Sequence, residues 1–406
     1  MTALIYDTLL IIMMLVLYRA GTSVKRNGRI LSPAGISAIV VYTLNEGLRF
    51  GRGIDYNLYG ITYERLERGA ETNWDFSFQL IAEMLVEIGI PWQGYVILMS
   101  GTFIVATIIL LKVYREGMQF ALPLFVFYSM SATENMVRWY MAFSFVMIGL
   151  SFLLKESSKK GSISFLLLSI LACTFHFAMA PIPIIFYLLT YRKSPLLSPL
   201  PVLVLYFGLA FFFHTDFMLQ FVDLFNTLSA YHERFEGYGN KAEYWLTGGY
   251  SGRTEISSLP SILEILFICT TVICGYRAIK NMGYKYIFAY NLFIIGVLLN
   301  PLSRQIELLD RYDSVFLFFR AIVIVCIIEN VLILKQVKIG GGIVILFIIS
   351  FLNTGRRALS APFENPDCYL YVWNNHTYTY EIMVNKRRSD AEELDSKKRK
   401  ERKFNY

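Results

Sequence analysis

Apolar runs of 15–20 residues recur along the whole chain, and no other feature limits its fold so strongly. As a helix, a run of that length rises about 30 Å, the thickness of the hydrocarbon core of a bilayer. In lipid a single segment can satisfy its own backbone polar groups only as a helix. The candidate spans are roughly 3–18, 31–48, 93–111, 119–133, 137–154, 162–178, 180–191, 199–214, 258–276, 285–302, 314–334 and 339–353. Several are short or run into a neighbour. The pattern therefore predicts an all-α polytopic membrane protein with 10–12 transmembrane helices and a cavity at its outer face. A chain of 406 residues could instead hold two or three soluble domains. A hydrophobic fraction of 55% and a mean hydropathy of +0.47 exclude that reading. One transmembrane domain over 1–385 is expected, followed by a basic tail, 386–406, whose composition predicts disorder. The first run lacks a basic leader, and Tyr18-Arg19-Ala20-Gly21 is a poor cleavage site, so it reads as a retained helix.

Loop charge sets the expected orientation. One set of short loops carries Arg19, Lys25, Arg26 and Arg29, then Lys112 and Arg115, then Lys155, Lys159 and Lys160. It continues through Arg192, Lys193, Arg277, Lys280, Lys285, Lys335 and Lys338, offset only by Glu116 and Glu156. These loops belong in the cytoplasm. The alternate loops, 49–92, 215–257, 303–313 and 354–385, mix both signs and face outward. Twelve spans place the tail outside, whereas one re-entrant run would place its basic clusters inside. The formal charge of +7 comes mostly from these loops and the tail, so it is no nucleic-acid footprint and no nucleic-acid partner is expected. Cys173, Cys269, Cys274 and Cys326 fall in apolar spans and read as small hydrophobes, leaving only Cys368 in an outer loop. Neither metal-ligand spacing nor an Asp-x-Asp motif is present, and no metal or cofactor is expected.

The most informative outer stretch is Leu48-Arg49-Phe50-Gly51-Arg52-Gly53-Ile54-Asp55-Tyr56-Asn57-Leu58-Tyr59. Two arginines, two glycines, an acid and two tyrosines lie where a membrane helix meets water, a composition suited to an anionic, hydroxyl-rich substrate. Residues 75–89 follow an amphipathic helical period and would lie along the surface or roof a cavity. Loop 215–257 mixes aromatics with acids and Arg253, which suits either sugar stacking or an interfacial aromatic belt. Between the fourth and fifth spans there is no room for a loop, so Arg138 starts a helix beside Asn135. It either faces a wet cavity or snorkels to headgroups. His176 lies near a span end, where it is either a core histidine or a base. Arg304, Glu307, Asp310, Arg311 and Asp313 cluster at one outer turn with spacings that suit surface pairs. Arg320 stands about six residues into an apolar span. It is either functional or paired with an acid such as Glu46 or Glu264.

Three of these elements carry a resemblance. Arg49 through Tyr59 resembles the first outer-loop signature of the EpsG-like and Wzy-like bacterial polysaccharide polymerases: an arginine, a glycine, Asp-Tyr and a further tyrosine. Asn135-Met136-Val137-Arg138 followed by Ala142 is similar to their Asn-x-x-Arg-x-x-x-Ala pattern. Phe175-His176 followed by Ala178 is similar to their Phe-His-x-(Ser)-Ala pattern. The likeness covers residues 30–190. Trp139, where glutamine is frequent, and Phe177-Ala178, in place of a small polar step, depart from it.

The resemblance implies transfer of a glycan from one polyprenyl-diphosphate carrier to a sugar on another, at the outer leaflet of a bacterial inner membrane. It implies the lipid-linked oligosaccharide and the bilayer as partners, with a chain-length regulator or flippase as further ones. The departing diphosphate needs fixed cations, for which the planar fork of arginine suits. Arg49, Arg52, Arg138 and Arg311 are the candidates, Arg52 first among them, with Arg253, Arg304 and Arg320 as further substrate contacts. Asp55 or His176 would be the base. Tyr56, Tyr59 and Asn135 would contact sugar. Rival readings are another lipid-linked-sugar glycosyltransferase, an O-antigen-ligase-like enzyme, and a flippase. The flippase predicts internal repeats and mid-depth polar sites; no clear repeat is evident, and apart from Arg320 the polar residues gather at the outer face.

Overall fold

In the computed structural model the described residues are 2–53, 55–155, 159–212, 259–279, 282–303, 307–333, 340–364 and 369–373. Loop 215–257 with Arg253, the positions Arg304 and Cys368, and the tail 386–406 lie outside them.

The apolar runs become helices, mostly within a few residues of their expected limits. α1 is Thr2–Asn27 and α2 is Pro33–Gly47. Ser32 caps α2, its Oγ accepting from the Gly35 N–H at 3.2 Å, and Pro33 fills the first turn, where an amide would have no partner. The amphipathic stretch folds as α4, Phe76–Glu87, preceded by α3, Tyr56–Glu67. Phe78 and Ala82 on α4 face the bundle, while Phe76, Leu80, Met84 and Ile88 form an exposed apolar stripe.

α5, Trp92–Leu111, and α6, Met118–Asn135, are joined by a 3₁₀ segment, Lys112–Gly117. As one straight helix their 44 residues would run about 66 Å, twice a hydrocarbon core. The non-helical turn at Tyr114 (φ −101°, ψ 47°) folds the run back on itself. α7, Val137–Lys155, is heavily buried, with α5, α8 (Lys159–Phe175) and α9 (Pro181–Thr190) around it.

α10 is Pro199–Phe212, α11 Leu259–Ile279 and α12 Tyr284–Ser303. α13, Glu307–Leu317, α14, Arg320–Ile333, and α15, Gly340–Glu364, complete the helices among the described residues. Among the described residues, five stretches are long and apolar enough to cross a membrane: α1, the α5–α6 run, α7, most of α11, and α12. The chain is an all-α, multi-pass membrane protein.

The expected span 314–334 is corrected by the structure. The helix breaks at Phe318–Phe319, so Arg320 opens α14 instead of sitting inside a continuous helix. Two short strands close the fold. β1, Arg49–Phe50, pairs antiparallel with β2, Leu370–Tyr371, and the Val372 N–H extends the pairing to the Leu48 carbonyl at 3.1 Å.

The two ends of the bundle differ in charge chemistry. At one end α1, the 3₁₀ turn and α14 meet: Lys25 pairs with Glu329 at 3.7 Å, and Arg115 donates to the carbonyls of Lys25 and Arg26 at 2.7 and 2.8 Å. The other end gathers the start of α1, the ends of α2, α6, α8 and α12, and the start of α7 around the Arg49–Tyr59 stretch.

Candidate functional site

The Arg49–Gly53 turn rests on a buried four-charge cluster. Arg52 Nη1 donates to Glu134 Oε1 on α6 at 2.9 Å and lies 3.7 Å from Glu46 Oε1 on α2. Its Nη2 donates to the Asn45 carbonyl at 3.3 Å. Arg49 Nη1 donates to the Glu46 carbonyl at 2.7 Å and lies 3.9 Å from the Glu46 carboxylate. Two guanidiniums thus face two carboxylates, as burial of charge requires. Arg52 is only 2% exposed, and its guanidinium lies between the rings of Tyr6 and Tyr371 at 4.9 and 5.1 Å. The Tyr371 hydroxyl donates to Asn45 Oδ1 at 2.8 Å, which ties β2 to the same cluster. Gly53 (φ +90°) crosses the end of α6 so closely that a Cβ there would lie 2.3 Å from the Glu134 carbonyl oxygen.

A second group forms beside it. Helix α6 ends at Asn135, Met136 breaks the path, and Arg138 falls in the first turn of α7. Its Nε donates to the Tyr59 hydroxyl at 2.9 Å and its Nη1 to Asp75 Oδ2 at 3.2 Å. His176 Nδ1 lies 3.8 Å from the same Asp75 oxygen, and its ring meets Trp139 edge-on at 5.3 Å. Trp139 therefore packs against the histidine of the third motif. Asn135 Oδ1 accepts from the Asp55 N–H at 3.2 Å, pinning the start of α3 to α6. The Tyr56 hydroxyl donates to Gln93 Oε1 at 2.7 Å, and Gln93 Nε2 in turn donates to the Gly47 and Arg49 carbonyls. Tyr59 packs among Trp74, Phe78 and Trp92, where burial raises the pKa of its hydroxyl.

The third feature is a cavity of about 560 Å³, within the range of small-molecule sites. Arg52, Glu134, Asn135, Glu264, Asp310, Asp313 and Arg320 are among the residues that line it. Of the sequence-derived candidates, Arg52, Asn135 and Arg320 reach this wall. Arg49, Asp55, Tyr56, Tyr59, Arg138, His176 and Arg311 stand outside it.

Arg320 is held by rings. Its guanidinium carbon lies 3.9 Å from the centroid of Tyr128 and 5.7 Å from that of Phe267, and its buried Nε has no hydrogen-bond partner among the described residues. Neither expected acid pairs with it. Glu46 turns to Arg49 and Arg52, and Glu264 lies on the cavity wall without coming within 4 Å. Among the described residues at this end, Arg49, Arg52 and Arg138 have carboxylate partners, whereas Arg311 and Arg320 have none within 4 Å.

Asp313 corrects the reading of its cluster as surface pairs. It is 3% exposed, and its Oδ2 accepts from Ser303 Oγ at 2.7 Å and from Asn300 Nδ2 at 3.1 Å. Burial pushes its pKa up to about 7, helped by Asp310 and opposed by those hydrogen bonds and by Arg320. Asp75, Glu134 and Tyr128 were not legible as site residues. An acid interrupting an apolar run, as Glu134 does, is the signal that could have marked one of them.

Membrane-length helices with a charged cavity at one end define a polytopic membrane protein. Its family is settled by sequence: the model of the EpsG family matches residues 34–366, and the chain belongs to that family, which is of polysaccharide-polymerase type. No curated protein and no solved structure matches the chain. Tyr6 and Tyr371, the two rings that enclose Arg52, both lie outside the matched stretch.

Proposed function

We propose that the protein polymerises a bacterial surface polysaccharide. It transfers a polyprenyl-diphosphate-linked glycan onto another lipid-linked repeat unit at the outer leaflet of the plasma membrane. Family membership supports the reaction class. The observation that carries the finer reading is Arg320, a cation on the cavity wall with no carboxylate within 4 Å among the described residues. As the glycosidic bond breaks, negative charge grows on the leaving diphosphate, and a fixed guanidinium is worth most where that charge develops. Ring packing on Tyr128 holds Arg320 in place without neutralising it, and its fork can meet two phosphate oxygens at once. Arg311, also without a carboxylate partner among the described residues, is a second contact for the substrate as it approaches. The polar walls leave room for sugar hydroxyls, while the carrier tails stay in lipid.

The test is in vitro. Purified protein given a lipid-diphosphate oligosaccharide should yield a ladder of longer lipid-linked products. Transfer to a different acceptor would indicate a ligase, and flux without a covalent product a flippase. Arg320→Ala should lower the rate by about 10²–10³-fold, the usual loss for one preorganised transition-state donor. Arg320→Lys should recover only part of it, because the charge remains and the fork does not. Full activity in both variants, at normal protein level, would remove Arg320 from the site.

A further inference from the structure

Asp313 is the buried acid that the reading above leaves without a task. It lies on α13, lines the cavity together with Arg320, and divides its two oxygens unequally. Oδ2 accepts from both Ser303 and Asn300, which fixes the carboxyl against the end of α12. Oδ1 is buried and has no hydrogen-bond partner among the described residues. An ionised carboxylate oxygen accepts about two hydrogen bonds, so Oδ1 has unused capacity, and leaving a buried acceptor empty costs stability. A site that bears that cost beside an uncommitted guanidinium has the parts for charge separation: one group to take a proton and one to take an anion.

The charges around Asp313 come from several elements. Asp310 shares its helix and lines the same cavity. Arg320 comes from α14, Glu264 from α11, Glu134 from α6 and Arg52 from the turn after β1. Tyr140 approaches from α7, its hydroxyl bonded to Ser314 Oγ at 2.7 Å. α12 contributes only the neutral Asn300 and Ser303 among the described residues.

We propose that Asp313 is the proton acceptor of the transfer reaction. This rests on the polymerase reading. In the step, the oxygen of an acceptor-sugar hydroxyl forms a bond to the anomeric carbon of the donor. The bond from that carbon to the diphosphate oxygen breaks, and its electron pair leaves with the polyprenyl diphosphate. The hydroxyl proton passes to the Asp313 carboxylate, which lines the cavity, and leaves through the cavity. Asp55 and His176, the bases suggested by sequence, do not line the cavity. Burial and Asp310 raise the pKa of Asp313 toward about 7, where a carboxylate is a stronger base than an ordinary surface acid yet still ionised in much of the population.

The experiment uses the full-length protein in liposomes with a lipid-diphosphate oligosaccharide, enzyme in excess, so that a single transfer is followed. With wild type, the transfer rate should rise about tenfold per pH unit below the midpoint and level off above about pH 7. Asp313→Asn should lower the rate constant at least about 100-fold, within the range for general bases, with half-saturation for the donor changed less than about threefold. Asp313→Glu should restore part of the rate, with the rising limb displaced. Wild-type transfer that is flat between pH 5 and 9, or an Asp313→Asn rate above a tenth of wild type, overturns the proposal. If Asp313→Asn does not fold, the wild-type pH profile and Asp313→Glu decide. Absence of any product from wild type overturns the polymerase reading and this proposal with it.

Discussion

At the scale of single residues, the arginines of this end divide by whether their charge is already answered. Arg52 is enclosed by Glu134, Glu46 and two aromatic rings, so its first role is to hold α2, α6 and β2 together. Removing one partner of such a buried cluster strands the opposite charge and costs about 3–5 kcal/mol. Arg52→Ala should therefore lower the melting temperature in detergent, followed by size-exclusion fluorescence. Glu134→Ala should do the same, and the double variant should lose less than the two single losses added together. An unchanged melting temperature with abolished turnover would instead make Arg52 a direct diphosphate contact. Sequence alone pointed to Arg52 because it sees an arginine between glycines. It cannot see that an acid 82 residues away closes over it. Arg320 was legible for the opposite reason: a guanidinium in apolar surroundings is costly wherever the fold takes it. Asp313 was misread because a cluster of charges looks alike whether it lies on a surface or under a helix end.

At the scale of elements, the helices were legible because lipid leaves few alternatives to the 3.6-residue period. The amphipathic stretch expected over 75–89 is α4, and the span expected over 137–154 is α7. The joints were harder to read. The break at Met136 falls where two spans were expected to meet, but the break at Phe318–Phe319, which decides where Arg320 sits, contains neither the glycine nor the proline that usually announces an interruption. One joint does carry such a mark. Gly53 takes a positive φ and lies against the backbone of α6, so its lack of a side chain serves both conformation and contact. Gly69 has a similar φ, +80°, with open space around it. Gly69→Ala should cost only the conformational term, about 1–2 kcal/mol. Gly53→Ala should cost clearly more, because the loop must also move off the Glu134 carbonyl. Thermal unfolding of the two variants side by side measures the difference, and equal losses would mean that the loop does not depend on this close approach.

At the scale of the whole molecule, the two ends of the bundle are chemically distinct, and that asymmetry bears on which leaflet the cavity serves. Lys25, Arg26, Lys112 and Arg115 meet at one end, where Lys25 reaches Glu329 and Arg115 binds the carbonyls that close α1. The cavity, with Arg320, Asp313 and the Arg52 cluster, lies at the other. Short basic loops are retained in the cytoplasm, so the cavity end should face outward, where a lipid-linked repeat unit would arrive after crossing the membrane. Single cysteines test this in right-side-out spheroplasts of a background lacking the five native ones. Arg68→Cys, on the exposed turn after α3, should react with a membrane-impermeant maleimide without permeabilisation. Asn27→Cys, exposed at the far end of α1, should react only after detergent is added. The reverse pattern would place the cavity in the cytoplasm. Arg320 and Asp313 would then face sugar carriers that had not yet crossed, and an outer-leaflet polymerase could not be built from this bundle.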